Sequence, residues 1–473
     1  MKRFLIILLL VFNLPLLSYP QDVIEKSPVS GSWKGKLSSG PVSLRIVFNI
    51  SVLENDSLIV TLDSPDQGAK GIRIGPVIFD GNEINIKAPL LLGEYQGTLI
   101  NDTLIEGIWS QAGTSNLLNL TRSVNGSPVL ARPQEPVPPF PYLVKEVTFK
   151  NEKQNIILAG TLTMPEGEGP FPAVVLITGS GAQNRDSELM GHKYFWVLAD
   201  LLTRQGIAVL RYDDRGVGES QGVYSTATSA DLATDAEAAL AYLKSLEMTD
   251  PELTGLEGHS EGGLIAAIVA ASNPDVDFIV SMAGTGVTGE DVIQKQNYDI
   301  GKLSGVSEEE LQKSYNSNKT FFAVVKEEPD DEKAIEKMTG LAKEMLVSEN
   351  LSQAEEDQAM KQIQSSFGTL TNRWFRHFIT TDPAQYWEKI SCPVLALNGS
   401  KDVQVDADIN LKAIEKAVKS GGNTNITVIK AEGLNHIFQH CETGLPSEYG
   451  DIEETISPEV PEIIAAWIKS LKK

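Results

Sequence analysis

The rhythm of apolar and polar positions changes partway along the 473 residues. Between 28 and 124 the period is two. Val42, Leu44, Ile46, Phe48, Ile50 and Val52 alternate with mostly polar neighbours, and Leu58, Val60 and Leu62, then Ile84 and Ile86, repeat the pattern. That spacing predicts strands with one buried face. Tyr95, Thr98–Ile100 and Leu104–Trp109 are further strand candidates, with turn signals at Asp80-Gly81 and Asn101-Asp102. The reading is a small antiparallel β domain, barrel or sandwich. Residues 125–142 then carry Pro133, Pro136, Pro138, Pro139 and Pro141, a stiff linker rather than a core element.

From 143 to 473 the apolar runs are short and strand-like: Ala173–Ile177, Ile207–Tyr212, Leu253–Glu257, Phe278–Ser281, Val394–Leu397 and Ile426–Ile429. Helical stretches such as Val197–Gln205, Asp231–Leu246 and Leu411–Lys419 separate them. Buried strands alternating with helices predict an α/β domain whose mostly parallel sheet is covered on both faces. The alternation breaks over 288–387, a polar, Glu- and Lys-rich helical insert placed where a lid would sit.

Composition, 41% hydrophobic and 22% charged, suits a globular chain of two or three domains. A formal net charge of -23 excludes nucleic acid as a natural partner, because its phosphates would be repelled. Met1-Lys2-Arg3 followed by the apolar run Phe4–Phe12 reads as a secretory signal peptide over 1–20. No cysteine follows that run, so no lipid attachment point and no stable membrane anchor are expected. The expected location is periplasmic or secreted. Cys392 and Cys441, the only two cysteines, either pair or remain buried thiols; neither has neighbours at metal-ligand spacing. Nothing in the sequence specifies an oligomeric state.

Candidate chemistry centres on Gly258-His259-Ser260-Glu261-Gly262, a G-x-S-x-G between a strand-like run and the Ala- and Ile-rich run Leu264–Ala271. A serine on a tight strand-to-helix turn is held with its hydroxyl above the sheet, and the following helix aims free N–H groups at a developing oxyanion. A hydroxyl needs a general base and a group that orients the base. Of the five histidines, His436 in Gly433-Leu434-Asn435-His436 follows the last strand and is the preferred base, with His440 as runner-up. His259, His192 and His377 are read as packing residues. Asp402 follows the strand Val394–Leu397 and is the preferred acid over Asp406 and Asp408. The oxyanion donors are assigned to the backbone of Glu261 and of Ser180, with Gly181 next in line.

Four segments carry a resemblance: Gly179–Asp186, Arg211–Ser220, Gly258–Gly263 and Asn435–Gln439. With them, residues 143–473 resemble the α/β-hydrolase superfamily, and within it bacterial exported carboxylesterases whose lid is similar to that of the serine aminopeptidases. The resemblance implies a Ser-Asp-His esterase working through an acyl-enzyme on a small-molecule ester, without metal or cofactor. Thr178-Gly179 replaces the usual His-Gly before the oxyanion loop. Peptidase or thioesterase activity is the alternative within enzymes, and a retired hydrolase binding through 28–124 the alternative outside them. The aromatic insert residues Phe321, Phe322, Phe367, Trp374, Phe375 and Phe378 suit an acyl chain better than the acidic run Glu327–Glu332 suits a free amine. Short-chain esters are the expected substrates.

Overall fold

The computed structural model describes residues 27–39, 42–53, 57–64, 69–75, 77–88, 93–111, 114–123, 131–347 and 352–472. The signal-peptide reading and the first part of the linker lie outside them. The chain divides into two compact units. One holds the residues up to Ala131 with Ser304–Glu310 and Thr339–Ser366; the other holds Arg132–Leu303, Leu311–Met338 and Phe367–Lys473.

In the first unit, ten strands form one antiparallel sheet. Alternation is what makes it two-faced. In Glu83–Ala88, Ile84, Ile86 and Ala88 are buried while Glu83 and Lys87 are exposed. Inward residues from both ends of the sheet, Val60 and Ile50 at one side and Ile86 and Tyr95 at the other, join Trp33, Phe48 and Trp109 in a single core. One sheet curled about one core is a half-barrel and not the two sheets of a sandwich. The alternating runs of the sequence fall in the strands Val42–Val52, Leu58–Ser64, Glu83–Ala88, Gly93–Asn101 and Leu104–Gln111. The strand Gly31–Ser39 has no such apolar alternation and escaped the pattern.

Apart from the short pair Glu188–Leu189 with His192–Lys193, the described residues of the second unit hold eight strands: β1 (Tyr142–Asn151), β2 (Ile156–Pro165), β3 (Phe171–Ile177), β4 (Ala208–Tyr212), β5 (Thr249–His259), β6 (Ile279–Met282), β7 (Val394–Gly399) and β8 (Ile426–Ala431). Their order is β1-β2-β4-β3-β5-β6-β7-β8. The hairpin β1–β2 is antiparallel, β2 meets β4 antiparallel, and all later pairs are parallel. This mixed order is that of the α/β-hydrolase fold. Helices α1 (Tyr194–Arg204), α2 (Ser229–Lys244) and α3 (Glu261–Ala270) precede the insert, and α10 (Ala407–Ser420), α11 (Pro446–Tyr449) and α12 (Glu459–Ser470) follow it.

The continuous apolar runs are explained by burial on both faces. Along β3, Val175 and Ile177 join α2, α3 and α10 residues in one core, while Val174 and Leu176 join α1 and α12 residues in the other. Between β6 and β7 the described residues of the insert form six helices: α4 (Gly289–Leu303), α5 (Glu308–Glu327), α6 (Asp331–Val347), α7 (Gln353–Leu370), α8 (Arg373–Thr380) and α9 (Ala384–Trp387). Cys392 and Cys441 are free thiols. Burial pushes Cys392 up to about 12 and Cys441 up to about 11, so both stay protonated at neutral pH.

Candidate active site

Ser260 stands alone between the end of β5 and the start of α3, with φ 57° and ψ -120°. Such a backbone is sparsely populated for any residue with a side chain and costs about 1–3 kcal/mol, so its surroundings must hold it. Glycine makes that possible. A Cβ on Gly258 would lie 2.0 Å from the carbonyl oxygen of Gly262, and one on Gly262 would lie 2.2 Å from that of Ile177. The turn is therefore clamped directly onto β3. Ser260 N donates to Met282 O of β6 at 2.8 Å, and its side chain makes no capping hydrogen bond to α3. The hydroxyl is thus left for other work.

Asp402 follows β7. Its Oδ1 accepts from the N–H of Gln404 at 2.8 Å and of Val405 at 2.9 Å, and Oδ2 faces His436 Nδ1 at 2.7 Å. The Asp402 side chain is fully buried, and only 6% of that of His436 is exposed. His436 rides on a tight loop tied by Asn435, whose Oδ1 accepts from Gln439 N at 2.9 Å and whose Nδ2 donates to Gln439 Oε1 at 2.9 Å. Gln439 Nε2 in turn donates to Glu454 O at 2.7 Å. His259 donates through Nε2 to the carbonyl of His436 at 2.9 Å, and the two rings are 4.7 Å apart. The residue before Ser260 therefore docks the histidine loop onto the turn. Burial, and then the neighbouring His436, hold His259 down to about 3, so it stays neutral. His436 spends Nδ1 on Asp402, which leaves Nε2 for a proton.

The alternatives are engaged elsewhere. His440, its side chain 60% exposed, faces Glu454 at 3.0 Å. Asp406 caps α10 through Ile409 N and pairs with Lys295, and Asp408 pairs with Lys430. His192 is buried between Thr455 and the carbonyl of Tyr449, and burial lowers it to about 4. Among the described residues no group of three His, Cys, Asp or Glu side chains is arranged to hold a metal ion.

Of the two expected oxyanion donors, Glu261 adjoins the serine in the chain and Ser180 follows Gly179, which packs against it. Glu261 is the first residue of α3, so its N–H has no partner within the helix. Across from it, a Cβ on Gly179 would lie 3.1 Å from the Cβ of Ser260, which brings the Gly179–Ser180 backbone against the turn. Ser180 is exposed and Gly181 has φ +94°. This loop is pinned by the Arg-Asp-rich segment after β4. Asp214 accepts from Thr178 Oγ1 at 2.7 Å and Gln183 N at 2.9 Å, and Asp213 receives Arg185 through N at 2.8 Å and Nη2 at 2.7 Å. Arg211 pairs with Asp186. Burial raises Asp214 to about 8, so it is protonated at neutral pH.

Sequence reasoning missed the side chain of Glu261. It is 1% exposed and accepts from Ser229 Oγ at 2.6 Å and from Trp374 Nε1 of α8 at 2.9 and 3.1 Å. No local signal in the sequence joins positions 113 residues apart.

The family described as X-Pro dipeptidyl-peptidase (S15 family) matches residues 155–429. Esterase EstD of Thermotoga maritima is 26% identical over 318 residues, 66% of this chain and 65% of the relative. A putative carboxymethylenebutenolidase of Synechocystis is 30% identical over 147 residues, 30% of this chain and 58% of its own. The matches thus span less than two thirds of the length of either relative. Among solved structures, the Pyrococcus furiosus esterase Pf2001 aligns over 70% of this chain and 93% of its own, with 16% identity and TM-score 0.40. Est1E of Butyrivibrio proteoclasticus aligns over 68% and 96%, with 17% identity and TM-score 0.39.

Proposed function

The chain belongs to the X-Pro dipeptidyl-peptidase (S15) family, and on that premise we propose that it is a serine hydrolase cleaving short-chain carboxylic esters through Ser260, His436 and Asp402. The observation that carries this reading is the pairing of a buried Asp402–His436 couple at 2.7 Å with a docking bond from His259, the residue next to a strained, uncapped Ser260. In the forward step His436 Nε2 takes the Ser260 proton as Oγ attacks the ester carbonyl. The oxyanion is received by the N–H groups of Glu261 and Ser180. Collapse expels the alcohol, which takes the proton back from His436. Water, activated by the same imidazole, then attacks the acyl-enzyme and frees the acid and Ser260. Asp402 holds the imidazole by Nδ1 and stabilises its cation.

The esterase name of the Thermotoga maritima relative supports an ester substrate. The family description supports a second reading, hydrolysis of peptides, since an amine leaves by the same proton path. A panel of p-nitrophenyl acetate and butyrate, an acyl thioester, and aminoacyl and X-Pro anilides separates them. Esters should lead anilides by about 10²-fold or more in kcat/KM, a gap of about 2.7 kcal/mol in barrier. Anilides cleaved as fast as the esters transfer the assignment to a peptidase. Ser260→Ala should abolish turnover and labelling by a fluorophosphonate probe together.

A further inference from the structure

The chemistry above uses only the backbone N–H of Glu261, yet its side chain is the more unusual feature. It is a carboxylate 1% exposed beside a nucleophile, and its hydrogen bonds come from two neutral donors, the Ser229 hydroxyl and the Trp374 indole. Thr228 caps α2 in a capping box with Asp231, which sets Ser229 in the first turn and aims its hydroxyl at Glu261. Asn372 caps α8 by accepting from Phe375 N at 2.7 Å, which sets Trp374 in the first turn of that helix. Two helix starts, one from the α/β domain proper and one from the insert, thus close on a single carboxylate.

That carboxylate belongs to the residue whose amide faces the oxyanion. Resting on the reading of Ser260 as nucleophile, we propose that Trp374 is a positioning residue, whose indole N–H anchors the Glu261 side chain and thereby fixes the peptide that donates to the oxyanion. The peptide lies between Ser260, strained at φ 57°, and the first helical residue; its carbonyl accepts from Gly263 N at 3.0 Å, and the Glu261 side chain adds a second hold that reaches beyond the helix. Displacements near 1 Å at such a donor cost on the order of 10²-fold in rate. Helix α8 does not depend on this one bond for its place. Arg373 pairs with Asp231 at 3.1 Å and donates to Thr226 O at 3.0 Å, while Phe375 and Phe378 are buried. Trp374 also stacks on Phe378, with ring centroids 5.3 Å apart and planes 8° apart. Phenylalanine keeps an aromatic ring for that stack and removes the N–H, together with the second ring of the indole.

The test is Trp374→Phe in the full chain, read as kcat and KM on p-nitrophenyl butyrate and as the rate of phosphonylation by a fluorophosphonate. The expected result is a kcat about tenfold lower with KM within about twofold, and phosphonylation slowed in parallel, because both transition states build charge in the same hole. The double variant Trp374→Phe with Glu261→Met should be no slower than the slower single, since both remove one linkage. A role in packing alone would lower the thermal midpoint or raise KM and leave kcat and phosphonylation untouched; that outcome overturns the proposal. Ser260→Ala runs alongside. If it still turns over, the nucleophile reading falls and this proposal with it; if it is silent while Trp374→Phe matches wild type, only the positioning role falls. Should Trp374→Phe fail to fold, Glu261→Met carries the test. It keeps the side-chain length and removes the acceptor, and an unchanged kcat there is equally fatal.

Discussion

Ser260 and its glycines show how much of the site is set by single residues. The turn works because Gly258 and Gly262 let three backbones approach where no Cβ fits. Gly262→Ala would place a methyl 2.2 Å from Ile177 O, a backbone atom that cannot yield without moving β3. It should destabilise the domain by about 3 kcal/mol or more, read as a lower denaturation midpoint. Asp402 shows the opposite economy, since both oxygens are committed, one to the N–H groups of its own loop and one to His436. Groups that act as a unit lose activity together. Asp402→Ala combined with His436→Ala should therefore cost no more in kcat/KM than His436→Ala alone. His440→Ala should leave it unchanged, because that side chain faces Glu454 at the surface. A double variant slower by the product of the two single losses would show that one partner is misassigned.

Among the elements, β5 carries both the packing and the electrostatic cost of the site. Leu253 and Leu256 bury into opposite cores, while Glu257 puts a carboxyl into the apolar interior. Neither Glu257 oxygen has a hydrogen-bond partner among the described residues, and burial raises the group from 4.5 to about 8. The folded chain then keeps a proton that the unfolded chain has lost. Stability must fall as pH rises from about 4.5 to about 8, and it levels off above. Each such group contributes a slope of about 1.4 kcal/mol per pH unit. Asp214, raised from 3.8 to about 8 by burial, acts in the same direction over nearly the same window. Glu257→Gln should flatten the decline between pH 5 and 8, as measured by denaturant midpoints at each pH, and leave Asp214 to supply what remains. A decline as steep as in wild type would show that Glu257 is ionised in the folded chain.

Of the whole molecule, two units with separate cores are visible, and no helix among the described residues is long and apolar enough to cross a membrane. The half-barrel core of Trp33, Phe48, Tyr95 and Trp109 is complete in itself. Export remains our proposal from the basic and apolar start of the chain, Met1–Phe12. N-terminal sequencing of protein from its native host should find a first residue near Gln21. A retained Met1, with fractionation into membranes that resists salt and carbonate washing, would replace cleavage with an anchor.

Much of this was legible before any coordinates, because the signals were local. Period-two alternation at Val42–Val52 and continuous apolar runs at β3 and β7 are properties of neighbouring residues, and strands follow from them directly. The glycines around Ser260 encode their turn in five letters. Ser260, Asp402 and His436 are marked by their places after β5, β7 and β8, since a parallel sheet gathers the ends of its strands at one edge. The hairpin β1–β2 left no comparable mark. Its first strand alternates only weakly, with Leu143 and Val144 exposed. What tertiary structure alone decided was partnership at long range. Position after the last strand prefers His436 to His440, but only the fold turns one to Asp402 and the other to Glu454. The bond between Trp374 and Glu261 is likewise set by where two helix starts meet. Such contacts depend on how distant elements pack, a quantity that no window of neighbouring residues contains.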